Sequence, residues 1–146
     1  MADPSDLDRF VKAQNPVLTQ VHSELRAGAK RTHWMWFVFP QLAGLGRSDT
    51  ARYYALASLD EARAYLAHPL LGPRLIECTN LVNAVEDRSV HQIFGSPDDL
   101  KFHSSMTLFA LARPSEQAFS NALSKYFGGA PDRLTTEKAL YFARFT

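Results

Sequence analysis

The most constraining feature of the sequence is a dense aromatic segment at residues 32–48 that ends in proline and glycine. It contains both tryptophans of the chain, Trp34 and Trp36. Residues 33–39 alternate as in a strand buried on both faces, although so short an apolar run also fits a buried helical turn. Either element has to end at Pro40, which lacks a backbone N–H. The sequence therefore predicts a central aromatic segment, as core or as the wall of a site, and leaves its secondary structure open.

The rest of the chain is typical of short amphipathic helices. Val17, Val21 and Leu25 recur at helical spacing and predict one apolar face. Gly28 and Gly128 each follow such a pattern and are placed to end a helix, Gly128 by the usual left-handed cap. We expect a mainly α fold, a compact bundle of about seven short helices around the aromatic segment.

Length and composition set the class of protein. The 146 residues suit one domain, which we expect to span residues 1–146. A hydrophobic content of 46% and a charged content of 21% are ordinary for a globular protein, and a net charge of +1 argues against a nucleic-acid binder. The lone Cys78 excludes an internal disulfide, and we expect a buried thiol rather than a nucleophile.

Targeting and metal-binding patterns are missing from the sequence. Residues 1–8 contain three aspartates and no apolar run, so we expect no secretory signal and no membrane contact, and a cytoplasmic location. No pair of histidines shows the i, i+4 spacing of a helical zinc site, so a metal site would require His33, His68 and His103 to converge in space. No metal and no cofactor are expected.

The tail of the aromatic segment has features of an anion site. Gln41 follows the proline, and Gly44 and Gly46 precede Arg47 and Ser48, the predicted cap of the next helix. Glycines let backbone N–H groups approach a ligand, and a helix start supplies further unpaired donors. The dinucleotide fingerprint itself is absent.

A second informative segment begins near residue 96. We expect Ser96 to cap a helix whose first residue is Pro97, with Asp98 in its opening turn. Ser104 and Ser105 then lie on or near its inward face, and buried hydroxyls need partners. Either they bond back to carbonyls four residues earlier, or they form a polar wall of a pocket beside the aromatic segment.

Several of these segments together resemble the family called domain of unknown function 1810, small bacterial and fungal proteins that sometimes carry a misleading calpastatin label. The resemblance covers residues 10–135 and implies a compact, mainly helical domain with no assigned activity. It rests on residues 33–41 (HWMWFVFPQ), 44–46 (GLG), 68–69 (HP), 71–72 (LG), 74–75 (RL), 98–101 (DDLK) and 104–109 (SSMTLF).

A fainter similarity is to N-glycoside hydrolases that act on ADP-ribose-type and ribosylated substrates. Those proteins also place an aromatic-proline segment before a helix with a lysine and a methionine. Here the spacing of Lys101 and Met106 departs from that pattern, and the catalytic acid of that family has no match.

Two classes of function follow. The first is a pocket for an anionic, phosphate- or ribose-containing small molecule in a small hydrolase, with His33 as general acid or base and Asp98 as a second catalytic group. The second is a non-catalytic ligand-binding or protein-interaction module. The expected ligand-binding residues are Lys30, Trp34, Trp36, Gln41, Gly44, Gly46, Arg47, Ser48, Lys101, Ser104 and Ser105.

Overall fold

The computed structural model describes residues 6–143, which form α-helices joined by short loops and contain no β-strand. The mainly α class is confirmed, but the described helices number ten rather than about seven, because several are only one or two turns long. They are α1 (Asp8–Gln14), α2 (Leu18–Ala27), α3 (Met35–Val38), α4 (Asp49–Tyr53), α5 (Leu59–Ala67), α6 (Leu71–Asn83), α7 (Val90–Phe94), α8 (Asp98–Ala112), α9 (Gln117–Phe127) and α10 (Arg133–Ala143).

The aromatic segment forms the single turn α3 and not a strand. Trp34, Met35, Val38 and Phe39 are buried, whereas the two residues between the pairs are only partly so. Buried positions three to four residues apart follow the helical period. The strand-like alternation in the sequence therefore does not match the burial of these residues in the folded protein.

Helix α8 runs through the middle of the bundle. It packs against α5, α7, α9 and α10, and all but its first turn is largely buried. The Phe39 ring meets the Phe94 and Phe102 rings edge-on at 5.9 and 5.1 Å between centroids, which joins the aromatic segment to α7 and α8. After its first turn α8 is buried on nearly every side, so it lies in the core and positions the helices around it.

The predicted helix ends are confirmed where glycine provides them. Gly28 and Gly128 follow α2 and α9 in the left-handed conformation. The start of α8 differs from the prediction: Pro97 is its N-cap residue, and Ser96 makes no capping bond. The Asp99 carboxylate instead accepts a hydrogen bond from the Leu100 N–H at 2.9 Å.

Candidate functional site

An open cleft of about 420 Å³ lies between the start of α8, the start of α10 and the loop that follows α3. The loop is held in place by hydrogen bonds from the Ala43 N–H to the Leu56 carbonyl (2.7 Å) and from the Leu56 N–H to the Gln41 carbonyl (2.9 Å). The cleft is lined by Gln41, Leu45, Gly46, Pro97, Leu100, Lys101, Ser104, Asp132 and Leu134.

Four of the predicted ligand-binding residues therefore line one cleft, although the first and the last are 63 positions apart in the sequence. These residues are Gln41, Gly46, Lys101 and Ser104. The rim is apolar, since Leu100 and Leu134 are 64% and 51% exposed. Apolar walls with a few polar groups directed at one space are the usual composition of a small-molecule site.

Asp132 is a cleft residue that the sequence reasoning missed. One of its carboxylate oxygens accepts hydrogen bonds from the N–H and the hydroxyl of Thr135, at 3.1 and 2.5 Å, which caps the start of α10. The same oxygen lies 3.5 Å from the Ser104 hydroxyl. An aspartate three residues before a threonine looks like any helix cap in a sequence, so only the packing of α10 on α8 could have identified it.

The Ser104 hydroxyl combines the two interpretations that the sequence left open, whereas the Ser105 hydroxyl fits neither. The Ser104 hydroxyl donates to the Leu100 carbonyl at 3.1 Å and also contacts Asp132 at the cleft. The Thr107 hydroxyl donates to the His103 carbonyl and accepts from the Asp132 N–H, which ties α10 to α8. Ser105 is fully buried and lies outside the cleft, and its hydroxyl has no hydrogen-bond partner in the described chain. It is a core residue here.

The two lysines predicted to bind a ligand have different roles: Lys30 is buried in an ion pair, whereas Lys101 reaches the cleft. Asp98 bridges them, with its carboxylate oxygens 2.9 Å from the Lys30 ammonium and 3.5 Å from the Lys101 ammonium. The Lys30 side chain is 7% exposed and also donates to the Thr32 carbonyl at 2.6 Å. The Lys101 side chain is 21% exposed and reaches the cleft. Lys30 and Asp98 thus position Lys101, and neither lines the cleft.

The two tryptophans occupy different environments. Trp34 is 1% exposed, and the Lys30 ammonium lies 5.1 Å from its ring centroid, so the ring offers no free face for stacking a base. Trp36 is only partly buried, with the Lys101 ammonium 5.1 Å from its ring centroid. Cation–π contact therefore places Lys101 beside the aromatic segment.

The carboxylate of Glu24 is the polar partner that Trp34 requires. Glu24 is 3% exposed and accepts five hydrogen bonds: from the Trp34 indole (3.2 Å), the Arg31 and Thr32 N–H groups, the Thr32 hydroxyl and the Gln20 amide. Burial raises the pKa of this carboxyl, but the hydrogen bonds outweigh burial and lower its pKa to about 2. Glu24 therefore fixes the loop between α2 and α3.

The remaining predicted residues lie apart from the cleft. His33 is exposed on the loop before α3 and makes no hydrogen bond or ion pair with the described residues. Arg47 is exposed, and the Ser48 hydroxyl accepts from the Ala51 N–H to cap α4, as predicted.

Gly46, which lines the cleft, also has a structural role. A Cβ on Gly46 would lie 2.5 Å from the Ala51 Cβ, so this glycine is required for loop packing whether or not an anion binds.

Other kinds of site find little support in the described residues. No three His, Cys, Asp or Glu side chains among residues 6–143 are grouped so that they could hold a metal ion. None of the helices in that range has the length and hydropathy needed to cross a bilayer. Cys78 is 1% exposed, and burial raises the pKa of its thiol to about 12, so it is unsuited to act as a thiolate nucleophile.

Comparison with known proteins identifies the family. The family model described as protein of unknown function (DUF1810) matches residues 4–139. The chain belongs to the DUF1810 family. The crystal structure of a conserved hypothetical protein from Mycobacterium tuberculosis is 61% identical to this DUF1810 chain, with a TM-score of 0.93 over 94% of this chain and 99% of that one. No significant match is found among curated proteins.

Proposed function

We propose that the cleft binds an anionic small molecule that contains phosphate or ribose. The observation that carries the proposal is that Lys101, Gln41 and the Asp132 carboxylate border one open space of about 420 Å³. That space is of the size that small-molecule sites have. An ammonium group is suited to phosphate, while a carboxylate and an amide are suited to sugar hydroxyls.

Lys101 is the residue best placed to bind the anion. Its ammonium lies farther from Asp98 than the Lys30 ammonium does, so an incoming phosphate competes with the weaker half of that bridge. Asp98 keeps the closer Lys30 ammonium as its partner, so its carboxylate stays neutralised when Lys101 turns to an incoming anion.

Binding without catalysis is the function that this geometry favours over hydrolysis. His33 lies outside the cleft lining, and the Asp98 carboxylate is held between two ammonium groups. A general acid or base has to come within hydrogen-bond reach of the reacting group, and neither residue faces the cleft.

Thermal-shift measurements with ribose 5-phosphate and ADP-ribose test the proposal. Ligand that binds only the folded state should raise Tm at millimolar concentration. We expect Lys101→Gln to weaken binding about tenfold, because one charge-assisted hydrogen bond is lost. Asp132→Asn should weaken binding of ribose-containing ligands yet leave the unliganded Tm unchanged, since asparagine caps a helix as well as aspartate does.

Lys12→Gln is the matched control, because Lys12 is exposed on α1 and its nearest partner is Asp8. Absence of a Tm shift with both ligands, or equal loss in the Lys12 and Lys101 variants, would refute a specific site at the cleft. Chromatography of the incubated ligands gives the second readout: release of free ribose or base would show that the protein is a hydrolase.

A further inference from the structure

One more cation lies next to the cleft. Lys138 is on α10, and a Cβ built on Gly44 would lie 3.2 Å from its ammonium nitrogen and 3.7 Å from its Cε. The side chain is therefore laid over the backbone of the loop after α3, at a glycine whose φ is +93°. A side chain at position 44 would press on the Lys138 ammonium group. Glycine has no side chain and therefore leaves room for this ammonium group.

Lys138 and the cleft share the same two elements of structure. Leu134 lines the cleft one helical turn before Lys138 on α10, and Gly46 lines it two residues after Gly44. Residues four apart on a helix lie on the same face. Lys138 itself is not a lining residue, but its ammonium lies against the loop that borders the cleft, and it comes from α10 whereas Lys101 comes from α8.

The Lys138 ammonium also lacks a counter-charge. The side chain is partly buried, yet within residues 6–143 it makes no ion pair and no hydrogen bond. This differs from Lys30, Lys101 and Lys12, each of which has a carboxylate within 3.5 Å. Partial burial of a charge is unfavourable unless something compensates it, and an anion that enters the cleft would do so.

We infer that Lys138 forms a second anion subsite, and that the cleft takes a ligand with two phosphoryl groups, one held by Lys101 and the other by Lys138. This inference rests on the proposed binding function of the cleft. It narrows the ligand class from phosphate or ribose compounds in general to diphosphates.

Inorganic phosphate and pyrophosphate are the matched probes, measured by isothermal titration at constant ionic strength. The intact protein should bind pyrophosphate more tightly than phosphate. Lys138→Gln should lower pyrophosphate affinity about tenfold and leave phosphate affinity unchanged, because only the second phosphoryl group loses its donor. Lys138→Arg, which keeps the charge, should restore most of the loss, and Lys12→Gln should change neither affinity.

The possible failures are distinguishable. Unchanged pyrophosphate affinity in Lys138→Gln, or an equal loss for both probes, would overturn the second subsite while the binding function stands. Normal binding of ribose 5-phosphate with no preference for pyrophosphate would do the same. If ribose 5-phosphate, phosphate and pyrophosphate all fail to bind, the proposed function itself is wrong.

Discussion

Two regions that the sequence led us to expect as one differ sharply in the folded protein. Around Trp34 the side chains are largely buried and paired: the indole donates to Glu24, and the Lys30 ammonium lies over the ring and binds Asp98. The cleft at the start of α8 and α10 is open and rimmed by exposed leucines, and the Lys101 ammonium that lines it lies 3.5 Å from its Asp98 partner.

The difference shows that the charged and aromatic residues of the two regions have different roles, in stability and in ligand binding. The interactions around Glu24 hold the loop before α3, and through Lys30 and Asp98 they hold Lys101 at the cleft. Residues of the first region should therefore affect stability strongly and ligand binding only indirectly. Residues of the cleft should show the opposite behaviour.

Glu24→Ala tests the first half of this comparison with the largest expected effect. It removes a buried carboxylate that accepts five hydrogen bonds, including that of the buried Trp34 indole. Leaving such donors unsatisfied should cost about 3–4 kcal/mol of unfolding free energy, measured by urea denaturation. Gln20→Ala removes only the exposed partner of the same carboxylate and should cost well under about 1 kcal/mol. Equal losses in the two variants would mean that Glu24 is not the centre of the network.

The pH dependence of stability gives a second test of the contribution of Glu24. The pKa of Glu24 is lowered from its ordinary value of 4.5 to about 2 in the folded state. Its contribution is therefore fully present above about pH 4.5 and is lost as the pH falls toward about pH 2, because the unfolded chain takes up the proton first. A shift of this size is worth about 3 kcal/mol.

The measurement is the difference in unfolding free energy between the intact protein and Glu24→Gln. Glutamine has nearly the same shape but does not titrate, so the difference should shrink between about pH 6 and about pH 2.5. A difference that stays constant over this range would show that the ionised carboxylate does not contribute as described.

Much of the fold could be predicted because its signals are local. The glycines that end α2 and α9 and the Ser48 cap of α4 depend on a few neighbouring residues, and the structure has them as expected. The secondary structure of the aromatic segment depends on which of its side chains the rest of the chain covers. That information is not contained in residues 33–39 themselves.

The site was predicted only in part for the same reason. Lys101 and Ser104 follow from helical spacing on α8, but Asp132 reaches the cleft because α10 packs against α8, and Lys138 lies against Gly44 because α10 also meets the loop after α3. We predicted Trp34 to bind a ligand because the sequence does not distinguish an exposed tryptophan from a buried one. Its partner Glu24, ten residues earlier, gave no sign that it would be buried.

His33→Ala should have the smallest effect and decides whether the two regions share a function. His33 is exposed, while the residues on either side, Thr32 and Trp34, are held by Glu24, so the loop should keep its shape without the imidazole. We expect a change in unfolding free energy within about 0.5 kcal/mol and unchanged ribose 5-phosphate affinity. His103→Ala is the matched control, because His103 stacks on Phe127 at 3.9 Å and bonds to the Ala130 carbonyl, and its loss should cost more. If His33→Ala instead abolishes binding or turnover at unchanged stability, the working site extends from the cleft to this loop, and the hydrolase interpretation regains its general acid or base.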